Sequence, residues 1–303
     1  MSININRALA AFTKKKYHII IPFTMPSLAL FLVFVVYPYA QAMYFSLTKW
    51  RGLTPKPTYI GLANFEKLLG DAFFWNALKH NLIYLVSIPL ITIVIALYLA
   101  FLLTHGRARF RKFYRITFFF PQVMSLVAIG VLWSFIYHPT IGILSSIAGF
   151  FGAPEPIAWL GNPDLALGAV GAVVIWQAVG FFVVLFIAGM DSIPASYYEA
   201  ATIDGATRWD LFWKITLPLL WDTIRTALVF LAISATNMFA ITQTMTQGGP
   251  NRSTDVLSTY VYERAFLSGK FGYATAVAVA MFLLAFTLSL LTMLATRRES
   301  VEY

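Results

Sequence analysis

The sequence predicts an all-α integral membrane protein with six transmembrane helices. Of its 303 residues, 59% are hydrophobic and only 12% are charged, whereas soluble domains carry about 25% charged residues. The apolar residues form long runs, and a helix needs about 20 such residues to cross the hydrocarbon core. These runs would be apolar on both faces of a strand, so they lack the alternation of a membrane β-barrel.

Six apolar stretches mark the predicted helices, because backbone polar groups inside lipid must be satisfied within their own element. The stretches are residues 19–45, 75–104, 116–138, 166–190, 221–242 and 272–296. They divide the chain into an N-terminal tail (1–18), a membrane domain (19–296) that includes a polar loop at 191–220, and a C-terminal tail (297–303). The first stretch is longer than the apolar region of a signal peptide, so it is predicted to remain as a span.

Basic residues predict the orientation. Thirteen lie in the two tails and in the loops after the second and fourth spans, and seven lie on the opposite side. The densest group lies at 105–115. Because cytoplasmic loops are enriched in lysine and arginine, both termini are predicted to be cytoplasmic. The net charge of +9 therefore reflects membrane topology, and we expect no nucleic-acid partner.

The cytoplasmic loop at 191–220 is too polar to span, and it predicts two short helices joined by a sharp turn. Residues 195–203 are rich in alanine, and Gly205 is placed to end this helix in the left-handed conformation. Thr207 followed by Asp210 resembles a capping box for the second helix. The loop therefore predicts a helix–turn–helix knob on the cytoplasmic face, which would need a partner.

The same loop carries residues of fixed type at fixed spacing: Glu-Ala-Ala, a glycine, then Ile-x-Leu-Pro. They are Glu199, Ala200, Ala201, Gly205, Ile215, Leu217 and Pro218, and Asp204 and Ala206 flank the glycine. This pattern resembles the EAA signature, in its DGA variant, of permease subunits of binding-protein-dependent ABC importers. The alternative for Glu199 is an ordinary solvated glutamate on a helix surface.

The resemblance implies a type I ABC importer permease fold in a bacterial or archaeal cytoplasmic membrane. It implies that two permease subunits form the pathway and that two ATPase subunits bind their knobs. Glu199 would contact basic residues of an ATPase, and Gly205 would allow the sharp turn. The chain contains no G-x-x-x-x-G-K-[ST] sequence. ATP and Mg²⁺ are therefore expected on the partner ATPases, with no cofactor and no enzymatic activity on this chain.

Further segments resemble the carbohydrate branch of these permeases, and its maltose F-type subunit in particular. They include the Tyr59–Phe65 segment, Trp176-Gln177, Gly180-Phe181 and Gly248-Gly249-Pro250. The resemblance implies a second, G-type permease subunit, a sugar substrate and an extracytoplasmic binding protein, with 49–74 and 241–272 as candidate docking surfaces.

Polar residues inside two spans are candidates for the substrate site, because polar groups in a membrane are costly. The fourth span has Trp176 and Gln177 beside Gly180, and the fifth has Ser234 and Asn237 on one helical face. The resemblance likewise places sugar contacts on the fourth and fifth spans. The alternative is that Ser234 and Asn237 only form hydrogen bonds between helices.

Other classes of function are less well supported by the sequence. Glycerol-3-phosphate is the alternative substrate, but a phosphate favours an arginine or lysine partner, and none lies at mid-span. A stand-alone secondary transporter would need ionisable groups along the spans, which are almost absent. A membrane-embedded enzyme would need clustered catalytic groups. The four histidines lie at span ends without the spacing of a metal site.

Overall fold

The computed structural model describes residues 20–52, 56–105, 110–152 and 156–295. The predicted tails at 1–18 and 297–303 lie outside these ranges, as do Arg107 and Arg109 of the basic loop. Orientation across the membrane therefore stays a prediction.

Helices dominate the described residues. In chain order they are α1 (Ile20–Ser46), α2 (Ala63–Leu69), α3 (Ala72–His105), α4 (Arg111–Val123), α5 (Leu126–Ile136), α6 (Ile143–Phe150), α7 (Pro163–Asp191), α8 (Ala195–Ile203), α9 (Arg208–Leu219), α10 (Trp221–Thr236), α11 (Phe239–Met245), α12 (Leu257–Tyr262) and α13 (Phe271–Ala295). Between α1 and α2, β1 (Thr48–Lys49) pairs antiparallel with β2 (Thr58–Tyr59). The all-α class is confirmed.

Four predicted spans are single helices long and apolar enough to cross a membrane: α1, α3, α7 and α13. Two bent pairs also pass by length and composition, α4 with α5 and α9 with α10, although α9 falls in the predicted polar loop at 191–220. Counting each pair as one span gives the six that the sequence predicts.

The predicted span over 116–138 is formed by two helices and not by one. α4 and α5 meet at an angle of 102°, because Met124 and Ser125 between them are extended. Pro121, inside α4, lacks the N–H that would continue the hydrogen-bond ladder. Pro121, Gln122 and Ser125 interrupt the apolar run at this point, but they do not specify an angle as large as 102°.

The predicted span over 221–242 is also formed by two helices. α10 ends at Thr236, Asn237 takes a non-helical conformation (φ −109°, ψ 67°), and α11 starts at Phe239. Asn81 of α3 stabilises this break, because its side-chain amide donates to the carbonyl oxygens of Ala235 at 3.3 Å and of Thr236 at 3.4 Å. Broken helices persist at membrane depth only where other protein groups satisfy the freed backbone.

The main hydrophobic core lies between α3, α7 and α10, and it includes Tyr84, Phe182, Phe186, Ile187 and Leu220. α7 supplies many of its buried side chains. α1 is the exception among the spans, since none of its most apolar stretch is buried within the chain.

A second, smaller core lies at the end of the spans opposite to α8 and α9, where Leu68, Phe74, Leu257 and Tyr260 pack together. Asp71 joins its elements by accepting hydrogen bonds from the hydroxyls of Tyr260 and of Tyr273, the latter at 2.6 Å. Burial raises the pKa of Asp71, but these hydrogen bonds and two backbone amides lower it below its ordinary value.

Candidate functional site

The first helix of the predicted knob is α8 (Ala195–Ile203), as the sequence predicts. It ends in a Schellman arrangement, in which the Ala206 amide donates to the Ala201 carbonyl at 2.9 Å and the Gly205 amide donates to the Thr202 carbonyl at 3.1 Å. Gly205 has a φ of +83°, in the left-handed region that a side chain disfavours. The prediction for Gly205 is therefore confirmed.

The second helix of the knob, α9, begins with the predicted capping box. The Thr207 hydroxyl accepts from the Asp210 amide, and the Asp210 carboxylate accepts from the Thr207 amide at 3.0 Å. Lys214 forms an ion pair with Asp210 at 2.7 Å. The hydrogen bonds from Lys214 and Thr207 hold the pKa of Asp210 well below its ordinary value. Local sequence therefore fixes the start of this helix.

The signature residues divide into an outward and an inward group. Glu199, Ala200, Asp204, Gly205 and Pro218 are exposed, whereas Ala201, Ala206, Ile215 and Leu217 are half-buried. The outward group offers a carboxylate and a turn to a partner. The inward group is available to hold the knob on the membrane domain.

Several contacts hold the knob to the spans. The Phe212 ring meets Phe101 of α3 at 4.9 Å between centroids, and Leu217 packs against the main core. The Tyr198 hydroxyl lies 3.1 Å from the Thr216 hydroxyl, which joins α8 to α9. A displacement of the knob would therefore be transmitted to the spans.

The knob also presents apolar side chains that sequence reasoning missed. Ile203 is 86% exposed and Trp209 is 66% exposed, and Trp213 is exposed beside them. Trp209 and Trp213 lie one turn apart on α9, and their rings are in contact. Large exposed apolar side chains such as these are typical of a surface that contacts a partner protein or a membrane. Their position beside the turn is visible only once α8 and α9 are folded against each other.

The predicted substrate residues of α7 lie on two different surfaces. Trp176 and Gly180 line a cavity of about 1020 Å³ between α3, α4 and α7, and its lining is almost wholly apolar. The Trp176 ring packs edge-on against Trp133, with centroids 5.2 Å apart. A Cβ on Gly180 would lie 1.7 Å from the Phe118 carbonyl oxygen. Gly180 thus allows α4 to pack closely against α7, and this packing role is independent of any contact with substrate.

Gln177 belongs to the other surface, which we call the polar strip: Gln177, Phe181, Phe230, Ser234 and Asn237. Gln177 and Phe181 are one turn apart on α7, and the Phe181 ring stacks on Phe230 of α10 with centroids 6.0 Å apart. Ser234 follows Phe230 by one turn and donates to its carbonyl at 2.9 Å. Phe230, Ser234 and Asn237 are exposed, and the stacked rings join this side of α10 to α7.

The amide groups of the polar strip are available for a ligand. The side chains of Gln177 and Asn237 make no hydrogen bond to any described residue. Phe181 and Phe230, which the sequence prediction of the substrate site did not include, supply an aromatic surface. The strip therefore places amide donors and acceptors beside aromatic rings. Across the described ranges, no group of histidine and acidic residues could hold a metal ion.

Comparison with known proteins agrees with this geometry. Residues 92–300 match the family described as binding-protein-dependent transport system inner membrane component. The chain is 38% identical to the diacetylchitobiose uptake system permease protein NgcF of Streptomyces coelicolor, over 84% of this chain and 75% of that protein. It is 31% identical to the multiple sugar-binding transport system permease protein MsmF of Streptococcus mutans, over 92% and 95% of the respective chains.

The fold also matches a solved structure. A subunit of a bacterial alginate ABC transporter, solved with an alginate pentasaccharide-bound periplasmic protein, superposes with a TM-score of 0.84 at 23% identity, over 94% of this chain and 96% of that chain. The fold, the exposed knob and the sequence matches agree. The chain belongs to the family of binding-protein-dependent transport system inner membrane components, and it is thus a multi-pass permease subunit of the cytoplasmic membrane.

Proposed function

We propose that this chain forms half of the translocation pathway of an ATP-driven sugar importer and that ATPase subunits drive it through the knob. The observation that carries this proposal is the orientation of the signature residues. Glu199 and the turn at Gly205 point outward for a partner, while Leu217 packs on the core of the spans. Such a knob connects a docking surface to the membrane domain through direct side-chain contacts.

The ATPase contact combines charge with apolar surface. Glu199 supplies an exposed carboxylate, which suits an arginine or lysine of the partner. Ile203 and Trp209 supply an apolar surface that would become buried when the ATPase docks. The ATP and Mg²⁺ would then be held by that partner and not by this chain.

The substrate class follows from the polar strip. Its two amide side chains fit hydroxyl groups, and the rings of Phe181 and Phe230 fit the C–H face of a sugar. The strip carries neither arginine nor lysine, so it favours a neutral sugar over glycerol-3-phosphate. The names of the relatives NgcF and MsmF, which refer to diacetylchitobiose and to multiple sugars, support the same class.

A second permease subunit would complete the pathway. The most apolar stretch of α1 has no buried residue within its own chain, which leaves an apolar surface for lipid or a partner helix, and the polar strip lies on the outside of this subunit. We infer that a G-type permease faces the strip and that an extracytoplasmic binding protein delivers the sugar at 49–74 and 241–272.

Co-purification tests the assembly. The tagged chain is extracted gently from its native membrane, and the recovered proteins are identified by mass spectrometry. We expect a second six-span permease and an ATPase subunit in amounts comparable to the tagged chain. Recovery of the chain alone, in good yield and still transporting, would contradict the proposed function and favour a secondary transporter.

Asn237→Ala tests the polar strip. Loss of one neutral hydrogen bond costs about 1 kcal/mol, so the sugar concentration for half-maximal uptake should rise about fivefold, with the amount of complex unchanged. The measurement is uptake of labelled sugar over a concentration series. Gln41→Ala, which removes an amide on α1 away from the strip, is the control and should match the wild type. An unaltered uptake curve for Asn237→Ala rules out the contact.

A further inference from the structure

A second cavity, with a polar lining, lies beyond the break that ends α10, at the far end of this subunit from the knob. Its volume is about 540 Å³, and its lining comes from α11, from the loop 246–256 and from the segment that follows α12. Gln243, Gln247, Asn251, Tyr262 and Glu263 are among the lining residues. We call it the outer cavity. It differs from the apolar cavity beside Trp176 in both position and chemistry.

The charged groups of the outer cavity are paired with one another. Arg252 donates to Asp255 at 2.7 Å and to Glu263 at 2.8 Å. The hydrogen bond from Arg252 lowers the pKa of Glu263. Burial raises the pKa of Asp255, and hydrogen bonds from Thr259 and Arg252 oppose that effect. Since each carboxylate already has a cationic partner, the cavity favours a neutral ligand over an ion.

The amide side chains of the outer cavity, in contrast, lack partners. Gln243, Gln247 and Asn251 make no side-chain hydrogen bond to any described residue. Each amide offers both donors and an acceptor. Three of them around one cavity match a ligand with many hydroxyl groups.

One aromatic ring lines the outer cavity, and other rings pack behind it. Tyr262 lines it and contacts Phe239 and Phe266, with centroids 5.2 Å apart in both pairs. Phe266 in turn contacts Phe271, with centroids 5.4 Å apart, and Phe271 contacts Trp50, with centroids 5.8 Å apart. Phe239 lies two residues after Asn237, so the rings extend from the polar strip toward the outer rim.

The loop that frames the cavity is held in an unusual backbone conformation. Gln247, Asn251 and Arg252 have φ values of 51°, 49° and 60°, which are uncommon for residues with a side chain. Two side chains of α3 fix this loop: the Asn76 amide donates to the Arg252 carbonyl at 2.9 Å, and a His80 ring nitrogen lies 2.7 Å from the Asp255 carbonyl. Conformations of this kind persist where the surroundings impose them, and they cluster at ligand sites.

From these features we propose that the outer cavity is a carbohydrate subsite, at which a neutral sugar binds before it reaches the polar strip. Unpaired amides supply hydrogen bonds to hydroxyl groups, and Tyr262 stacks on the C–H face of a ring. This inference rests on the proposed function, since it assigns the substrate an entry point on the same pathway.

Saturation-transfer NMR on the intact complex in lipid nanodiscs tests the subsite without a binding protein. The probes are maltotriose, diacetylchitobiose and xylobiose. Tyr262→Leu removes the ring but keeps an apolar side chain, and it should weaken binding of the recognised sugar about two- to tenfold, the range expected for one aromatic contact. Tyr262→Phe keeps the ring and should restore binding. Tyr98→Leu, at an exposed tyrosine of α3, is the control and should behave as the wild type.

Measurements of uptake and of binding-protein affinity distinguish a failure of the subsite proposal from a failure of the proposed function. If the wild type transports sugar and Asn237→Ala impairs it, while Tyr262→Leu binds sugar normally, the subsite is wrong and the proposed function stands. If Tyr262→Leu weakens only the binding protein's affinity for the complex, the cavity is a protein-docking surface and the subsite is wrong. A wild-type complex that neither binds nor transports any of the three sugars overturns both proposals.

Discussion

Gly180→Ala is expected to lower the stability of the folded subunit by at least about 3 kcal/mol, the upper end of what overpacking usually costs. The added Cβ would lie 1.7 Å from the carbonyl oxygen of Phe118 and 2.3 Å from its carbonyl carbon. A flexible side chain could move away, but a backbone carbonyl inside α4 cannot do so without displacing its helix. The measurement is the thermal midpoint of the detergent-solubilised complex, with the yield of assembled complex beside it.

Gly168→Ala is the matched control for this prediction. Gly168 lies on the same helix, and a Cβ there would meet nothing within 4 Å. Since alanine favours a helix over glycine by about 0.5–1 kcal/mol, this variant should be as stable as the wild type or slightly more so. A thermal midpoint of Gly180→Ala equal to that of the wild type would show that α4 does not lie against Gly180.

Glu199→Lys is expected to remove most of the ATPase partner from the complex while the chain itself folds. Glu199 is exposed on α8, so the substitution has little effect on packing within this chain. Loss of one partner of a hydrogen-bonded charge pair at an interface costs about 2–5 kcal/mol, and the lysine adds repulsion. Retention of the ATPase on the purified complex, and sugar uptake, should both fall at least about tenfold.

Glu66→Lys provides the control, since it makes the same charge change at an exposed position of α2, far along the chain from the knob. It should retain the ATPase in full. If the Glu199→Lys complex and the wild type retain equal amounts of ATPase and show equal uptake, Glu199 is an ordinary solvated surface residue and the proposed contact is wrong.

The spans and the knob could be predicted because their signals are local. A run of apolar residues defines α7 or α13 by itself, and the Thr207–Asp210 spacing defines the start of α9. The breaks could not be predicted in this way. Before Met124–Ser125, Pro121 and Gln122 mark an interruption but do not specify how sharply the chain bends. At Asn237 the break depends on Asn81, which is 156 positions earlier in the chain and reaches the last turn of α10 only in the folded state.

The candidate substrate site was predicted in part for the same reason. Gln177 and Asn237 are polar residues in apolar surroundings, so sequence alone singles them out. Trp176 and Gln177 are neighbours in sequence, yet successive helical residues face different directions, and the fold separates them. The roles of Phe181 and Phe230 depend on the stacking of their rings across two helices, which periodicity within either span does not reveal.

The breaks at both ends of α10 have a mechanical consequence. The helix has 16 residues and is therefore about 24 Å long. It is bent by 67° from α9 at one end and interrupted at Asn237 at the other. Its internal hydrogen bonds keep its length constant, while the two breaks let its angle to each neighbour change. If ATPase subunits drive the chain through the knob, as proposed, a displacement of α9 would tilt α10 and move Asn237, the proposed sugar contact, without unwinding the helix.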